Sequence, residues 1–438
     1  MIGIAPEAYM SEQQEASAPG GWSQESFLKG SLVLIGMLVA IYMISQFFRN
    51  SINVIGPDLS RDFDLDARSL SLVASMFFLS FALVQIPLGM AIDRFGPKIC
   101  LIVPALIAVA GTLLFAMAQS YTELVIARAV IGVGCSSFLM APLAIYAERF
   151  PPERFATLVG LQVGAGTLGS IGATAPLAWT AAAYGWRTAF LFVAGLTIFV
   201  IVLLVFFVRD SEAGKARRKS KVESFSSLCK GVAEASRIDS FWPIFIMQMI
   251  SYPAFGAIIG LWSGAWLAQV YGVPLESRGN ILLAMTVAQV VGLFVFGPAD
   301  RWFSSYKLPC IIGALVCGAA LAVAAIFPIP AGWVLAYLVV LGFIFGFSPA
   351  LTAHGKSLFP PHLIGRGLSI MNIAAIGGVY IQQWLTGQVM DLFTPEIVNG
   401  VRIYPAIAFQ WVFGLLAAEM FLGVLIYSRA RDPHPARK

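Results

Sequence analysis

Runs of about 20 apolar residues recur twelve times along this chain, and no other feature restricts its fold as strongly. They fall near 28–48, 70–92, 99–119, 122–147, 157–180, 187–208, 242–270, 280–300, 308–329, 332–354, 367–390 and 405–428. A helix of that length crosses the ~30 Å hydrocarbon core of a bilayer. Backbone polar groups in lipid must pair internally, so only helices or closed barrels can span. Barrel strands would be ~10 residues long and strictly alternating. These runs are longer and do not alternate, so an all-α membrane protein is expected. Only 12% of residues are charged and 58% are hydrophobic, against roughly 25% charged in soluble proteins.

Charge placement sets an orientation. With the N-terminus inside, the cytoplasmic segments and tails hold 21 of the 28 Lys and Arg, the outer loops hold five, and Arg49 and Arg128 remain within spans. That bias predicts cytoplasmic N- and C-termini, and the expected membrane is the inner (plasma) membrane of a bacterium. Residues 1–26 carry four glutamates and no Lys or Arg, which reads as a disordered polar tail rather than a signal peptide. Cys100, Cys135, Cys229, Cys310 and Cys317 show no CxxC and no extracellular cluster, so neither disulfides nor metal is expected.

The longest internal polar stretch separates six spans from six. The expected organisation is a tail (1–26), a first bundle (27–208), a linker (209–240), a second bundle (241–428) and a short cytoplasmic tail (429–438). The linker's Lys215, Arg217, Arg218, Lys219 and Lys221 face anionic lipid headgroups rather than nucleic acid, and 223–236 reads as an interfacial helix. The halves echo each other. Phe-Pro-Pro at 150–152 recurs at 359–361, Asp93-Arg94 recurs as Asp300-Arg301, and Tyr42 and Gln162 correspond to Tyr252 and Asn372. Duplicated halves place a substrate site near the midplane between them.

Gly89-Met-Ala-Ile-Asp93-Arg94-Phe-Gly96-Pro-Lys98 resembles the loop signature of the major facilitator superfamily, Gly-x-x-x-Asp-Arg-x-Gly-x-Arg/Lys, at every fixed position. Arg128-Ala-Val-Ile-Gly132-Val-Gly134 is similar to that family's fourth-helix pattern. The resemblance implies twelve transmembrane helices in two pseudo-symmetric bundles that move a solute by alternating access. It implies a gating role for Gly89, Asp93, Arg94, Gly96 and Lys98, and a conformational or proton-path role for Arg128. Arg94 and Lys98 are expected to pair with Glu148. Asp300 and Arg301 are a weaker gate copy, since Phe296 stands where its first glycine would be.

Tyr42, Gln46, Arg49 and Asn53 are spaced four, three and four, hence on one stripe of the first helix. An arginine at bilayer depth costs ~2.5–3.5 kcal/mol on the lenient scale, so it should face water or a counter-charge. Either it snorkels or pairs with Asp58, Asp62 or Asp64, or it offers its fork of donors to an anion. The stretch also resembles the organic-anion and phosphate branch of the superfamily, in which an arginine at the matching position contacts the anion. Phe48 and Cys135 stand where several sugar-acid members place acidic residues. The other candidates for a polar vestibule are Gln162, Gln248, Tyr252, Gln289, Asn372 and Gln382. The glycine-dense fifth helix partly resembles an antiporter signature, and tight helix packing accounts for it equally well.

The reading is a monomeric secondary active transporter of a small, anionic organic solute, without cofactor or metal. It is not an enzyme, since no Ser-His-Asp set, HExxH or Walker loop is present. Export of amphiphilic drugs is the alternative, and a non-transporting sensor or assembly factor with this fold is a third. The coupling ion is a proton or sodium. For a proton, His354 and Arg128 are the candidate groups.

Overall fold

A computed structural model describes residues 24–208, 233–360, 363–398 and 401–433. The N-terminal tail to residue 23, the linker at 209–232 with most of its expected interfacial helix, and residues 434–438 lie outside the described residues.

Helices stand at all twelve expected positions. The first half holds α1 (Gln24–Phe63), α2 (Ala67–Phe95), α3 (Pro97–Met117), α4 (Tyr121–Arg149), α5 (Thr157–Tyr184) and α6 (Trp186–Phe207). The second holds α7 (Phe241–Gln269), α8 (Leu275–Phe296), α9 (Lys307–Ile326), α10 (Ala331–Leu358), α11 (Ile364–Met390) and α12 (Ala406–Tyr427). Among the described residues, eleven of them are apolar enough, as well as long enough, to cross a bilayer. The remaining one, α11, has 27 residues and carries Asn372, Gln382, Gln383 and Gln388. Of these amides, Gln382 and Gln383 are buried against other helices.

The expectation of helices alone needs one addition. Between α11 and α12 a short antiparallel hairpin pairs β1 (Glu396–Val398) with β2 (Val401–Ile403). It marks one face of the molecule, here the hairpin face. The other is the terminal face, where α1 begins and α12 ends.

The halves meet along three seams. α1 packs on α7, α2 on α11, and the latter part of α5 on α8. The last two are the same pair with the halves exchanged, second helix against fifth, as an internal repeat requires. Where two helices touch across lipid-like surroundings, small residues set how close they come. A side chain at Gly132 would meet Phe77 O at 2.2 Å, and one at Gly134 would meet the Ala108 backbone at 2.4 Å, so α4 lies directly on α2 and α3. Two glycines of α5 act likewise, Gly169 facing Met43 O and Gly166 the ring of Tyr42, whereas a side chain at Gly160 or Gly164 would meet nothing within 4 Å. Tight packing therefore explains Gly166 and Gly169.

In α7 the helix widens into a π turn, Ile258–Trp262, entirely buried. Neighbouring side chains of α11 brace it. Gln383 donates to Gly256 O at 3.0 Å, and Trp262 Nε1 donates to Thr386 Oγ1 at 2.7 Å. Such turns concentrate at functional sites.

Candidate functional site

Between the halves lies a cavity of about 620 Å³, within the range that holds small-molecule ligands. It is lined from the middle of α1, α2, α4 and α5 and from the terminal-face halves of α7, α8, α10 and α11. Exposure rises in the same direction. Tyr42 and Arg49 are buried at 6% and 8%, whereas Thr352 and Lys356 on α10 are exposed. The cavity is thus open at the terminal face and closed at the hairpin face.

Closure at the hairpin face uses backbone and small residues. Asn53 Oδ1 accepts from Gly264 N at 2.6 Å, joining α1 to α7. A Cβ on Gly264 would lie 1.8 Å from Asn53 O, and one on Gly387 would lie 1.9 Å from Ser71 Oγ. Over this seal the hairpin ties the second half to the first. Arg402 donates to both oxygens of Asp64 at 2.9 Å, and Tyr404 OH accepts from Ala67 N at 2.9 Å. The Arg402 guanidinium holds the Asp64 carboxyl below the usual carboxylate range.

Seven of the ten residues expected to form the vestibule line the cavity: Tyr42, Gln46, Arg49, Gln248, Tyr252, Gln289 and Asn372. Arg49 is its centre. Its Cζ lies 4.7 Å from the centroid of the Phe81 ring, a contact open to a cation. Its Nε has no hydrogen-bond partner, and neither does the neighbouring Gln46 Oε1. The aspartates weighed as counter-charges are engaged elsewhere, Asp58 and Asp62 with Arg61, and Asp64 with Arg402. No carboxylate lies among the described residues lining the cavity. A guanidinium buried with a donor to spare, in a solvent-connected hollow without negative charge, is built to receive an anion.

The other three vestibule candidates are corrected. Asn53 belongs to the seal described above. Gln162 is buried between Tyr146 OH, which donates to its Oε1 at 2.7 Å, and Leu38 O, which accepts from its Nε2 at 2.8 Å. Gln382 turns outward and donates to the Glu419 carboxylate of α12. Each amide is committed to holding helices together.

Arg128 and His354 also lie away from the cavity. Arg128, fully buried on α4, donates to Phe48 O (3.0 Å), Val73 O (3.2 Å) and Ala74 O (3.3 Å), which binds α4 to α1 and α2. One of those carbonyls precedes Arg49, so Arg128 supports the backbone that carries the binding arginine. His354 faces away from the cavity. Its Nε2 pairs with Arg431 O at 2.9 Å, its Nδ1 pairs with Tyr427 OH, and its ring stacks on Tyr306. It fastens α10 to the end of α12. Cys135 neighbours both Arg49 and Arg128.

Around the loop signature, Gly96 has φ +90, the turn that a glycine there was expected to allow. Gly89 is exposed and a side chain on it would meet nothing within 4 Å, so its close approach is not used while this face is open. Lys98 donates to Val205 O of α6 at 3.0 Å. Arg94 lies against the Phe95 ring, Cζ to centroid 5.3 Å. Asp300 and Arg301 sit on a short helix, Ala299–Phe303, that follows α8.

Sequence reasoning missed Gln85, Thr286, Ser348, Thr352 and Lys356, all of which line the cavity. Ser348, Thr352 and Lys356 are spaced by four, the signal that would have found them.

The description of the Major Facilitator Superfamily matches residues 38–381. The chain is 21% identical over 414 residues to the hexuronate transporter of Escherichia coli, covering 90% of this chain and 93% of that protein. It is 29% identical over 223 residues to the nitrate/nitrite transporter NrtP of Nostoc punctiforme, covering 49% and 41%. It is 29% identical over 184 residues to the probable sulfoacetate transporter SauU of Cupriavidus necator, covering 42% and 43%. In fold it resembles a bacterial homolog of the lysosomal transporter Spinster, at a TM-score of 0.72 with 17% identity over 91% of this chain and 95% of that one. It resembles a D-xylose–proton symporter equally, at 0.72 with 15% identity over 92% and 98%. The chain belongs to the Major Facilitator Superfamily and is an integral multi-pass membrane protein, a secondary transporter and not an enzyme.

Proposed function

We propose that the protein carries a small organic anion by alternating access, with Arg49 receiving the anionic group. The observation that carries this reading is the buried Arg49, which lines a cavity without a lining carboxylate among the described residues and whose Nε has no hydrogen-bond partner. The carbon skeleton has suitable walls in Phe78, Phe81, Phe255 and Phe345, and its hydroxyl groups have Gln46, Gln248, Gln289 and Asn372. Relatives named for hexuronate, nitrate/nitrite and sulfoacetate, all anions, support the same substrate class. By the charge bias of the loops, the terminal face is cytoplasmic, and the bacterial relatives support the bacterial inner membrane. The halves rock about the site, and the Asp93 loop with Glu148 closes the terminal face when the hairpin seal opens. A proton or sodium gradient drives the cycle.

A ligand-induced thermal shift on purified protein, with D-glucuronate and sulfoacetate as probes, tests the substrate class. Losing a charge-assisted contact of about 1.5–3 kcal/mol should weaken binding roughly 10–150-fold in Arg49→Ala. Equal stabilisation of parent and variant by these anions would sink the reading.

A further inference from the structure

The structure assigns Lys356 as a second anion-contacting position, a staging charge at the mouth of the cavity through which the solute passes between Arg49 and the solution at the terminal face. This rests on the anion reading above and adds a residue and a selectivity to it. Ser348, Thr352 and Lys356 form a polar stripe along the cavity side of α10, running ~12 Å from middle to rim. Lys356 is exposed at the end of that stripe and makes no ion pair among the described residues, so its ammonium is available to whatever enters. Arg49 lies deep and Lys356 lies at the opening, and no acidic side chain stands between them among the described lining residues. A solute leaving Arg49 therefore meets a cation at the rim, and an arriving one meets it first. In an aperture with low-dielectric walls such a charge raises the local anion concentration, and so acts on rate more than on final affinity.

The consequence is selectivity by charge number. A cation ~6 Å from the path in water-like surroundings favours a passing monoanion about threefold. Doubling the charge squares that factor, to roughly tenfold for a dianion. The preference should vanish when salt shortens the screening length to ~4 Å, near 0.5 M.

The test is anion exchange in proteoliposomes, where every turnover passes this mouth. D-glucuronate serves as the monoanion and sulfoacetate as the dianion, each at low and at 0.5 M-range salt. Lys356→Gln should lower kcat/KM about threefold for glucuronate and roughly tenfold for sulfoacetate at low salt. Both losses should disappear at high salt, and Lys356→Arg should keep parental values. A change equal for both anions, or indifferent to salt, would assign Lys356 a structural role and overturn the proposal. If Arg49→Ala abolishes exchange while Lys356→Gln behaves as the parent, this inference fails and the anion reading stands. If the parent moves neither anion, both fall together.

Discussion

The contact between Gly264 and Asn53 offers the sharpest test of how the cavity is closed. In Gly264→Ala the new methyl would lie 1.8 Å from Asn53 O and 3.0 Å from its Oδ1, where ordinary contact begins at 3.4 Å. α7 and α1 must then part by about 1.6 Å at this level, which also breaks the 2.6 Å hydrogen bond from Gly264 N. Overpacking of this kind costs ~1–3 kcal/mol and the hydrogen bond adds ~0.5–1.5 kcal/mol. Alanine's better helix propensity applies whether the seal is shut or open and cancels in the difference. The arrangement closed at the hairpin face should thus lose roughly 2–4 kcal/mol, about a 30- to 1,000-fold shift in the conformational equilibrium. Spin labels on Tyr184→Cys and Ile397→Cys, exposed at 66% and 71% on opposite halves of that face, report the opening by pulsed electron resonance in a background lacking native cysteines. The distance distribution should move to longer values in Gly264→Ala. An unchanged distribution would refute the argument that this backbone contact helps to hold the face shut.

Other outcomes follow from the same geometry. Arg402→Gln should weaken closure above pH 4 and have no effect well below it. The sign follows from Asp64, whose pKa is lowered by Arg402 when latched; its contribution is complete above the free carboxyl value of about 3.9 and is lost as pH falls through the lowered one. The label distance measured against pH checks this. Arg128→Ala removes three hydrogen bonds and opens a void among α1, α2 and α4, so thermal stability should fall by roughly 3 kcal/mol; an unaltered melting temperature would contradict the bracing role. Asp93→Asn should slow exchange while leaving equilibrium anion binding intact, and parental turnover would remove Asp93 from the gate.

The helices were legible because hydropathy over about 20 residues is a strong signal. The stripe Tyr42, Gln46 and Arg49 was legible from spacing alone. Asn53 continues that stripe, but a helix of 40 residues runs from the cavity into the seal, and spacing records a face without recording depth. The pairing of Gln162 with Asn372 by internal repeat failed because Tyr146 captures one of the two amides. On α10 the titratable His354 drew attention that belonged to Lys356. The two are separated by two residues, about 200° around the helix, and so look in opposite directions. The hairpin had a local signal, since Asn399-Gly400 between Ile-Val and Val-Arg-Ile is the pattern of a two-residue turn. The π turn of α7 had none, because the residues 258–262 suit a regular helix equally well.

That turn contains one residue more than an α-helix would use, and each residue advances a regular helix by about 100°. Excising a single position from 258–262 would therefore swing everything beyond it by that angle, carrying Gly264 off Asn53 and presenting a bulkier neighbour instead. A surplus of one amino acid thus sets which surface the distal segment shows to its counterpart, so a one-codon deletion there would disturb the closing mechanism while leaving every recognised motif of the chain unaltered.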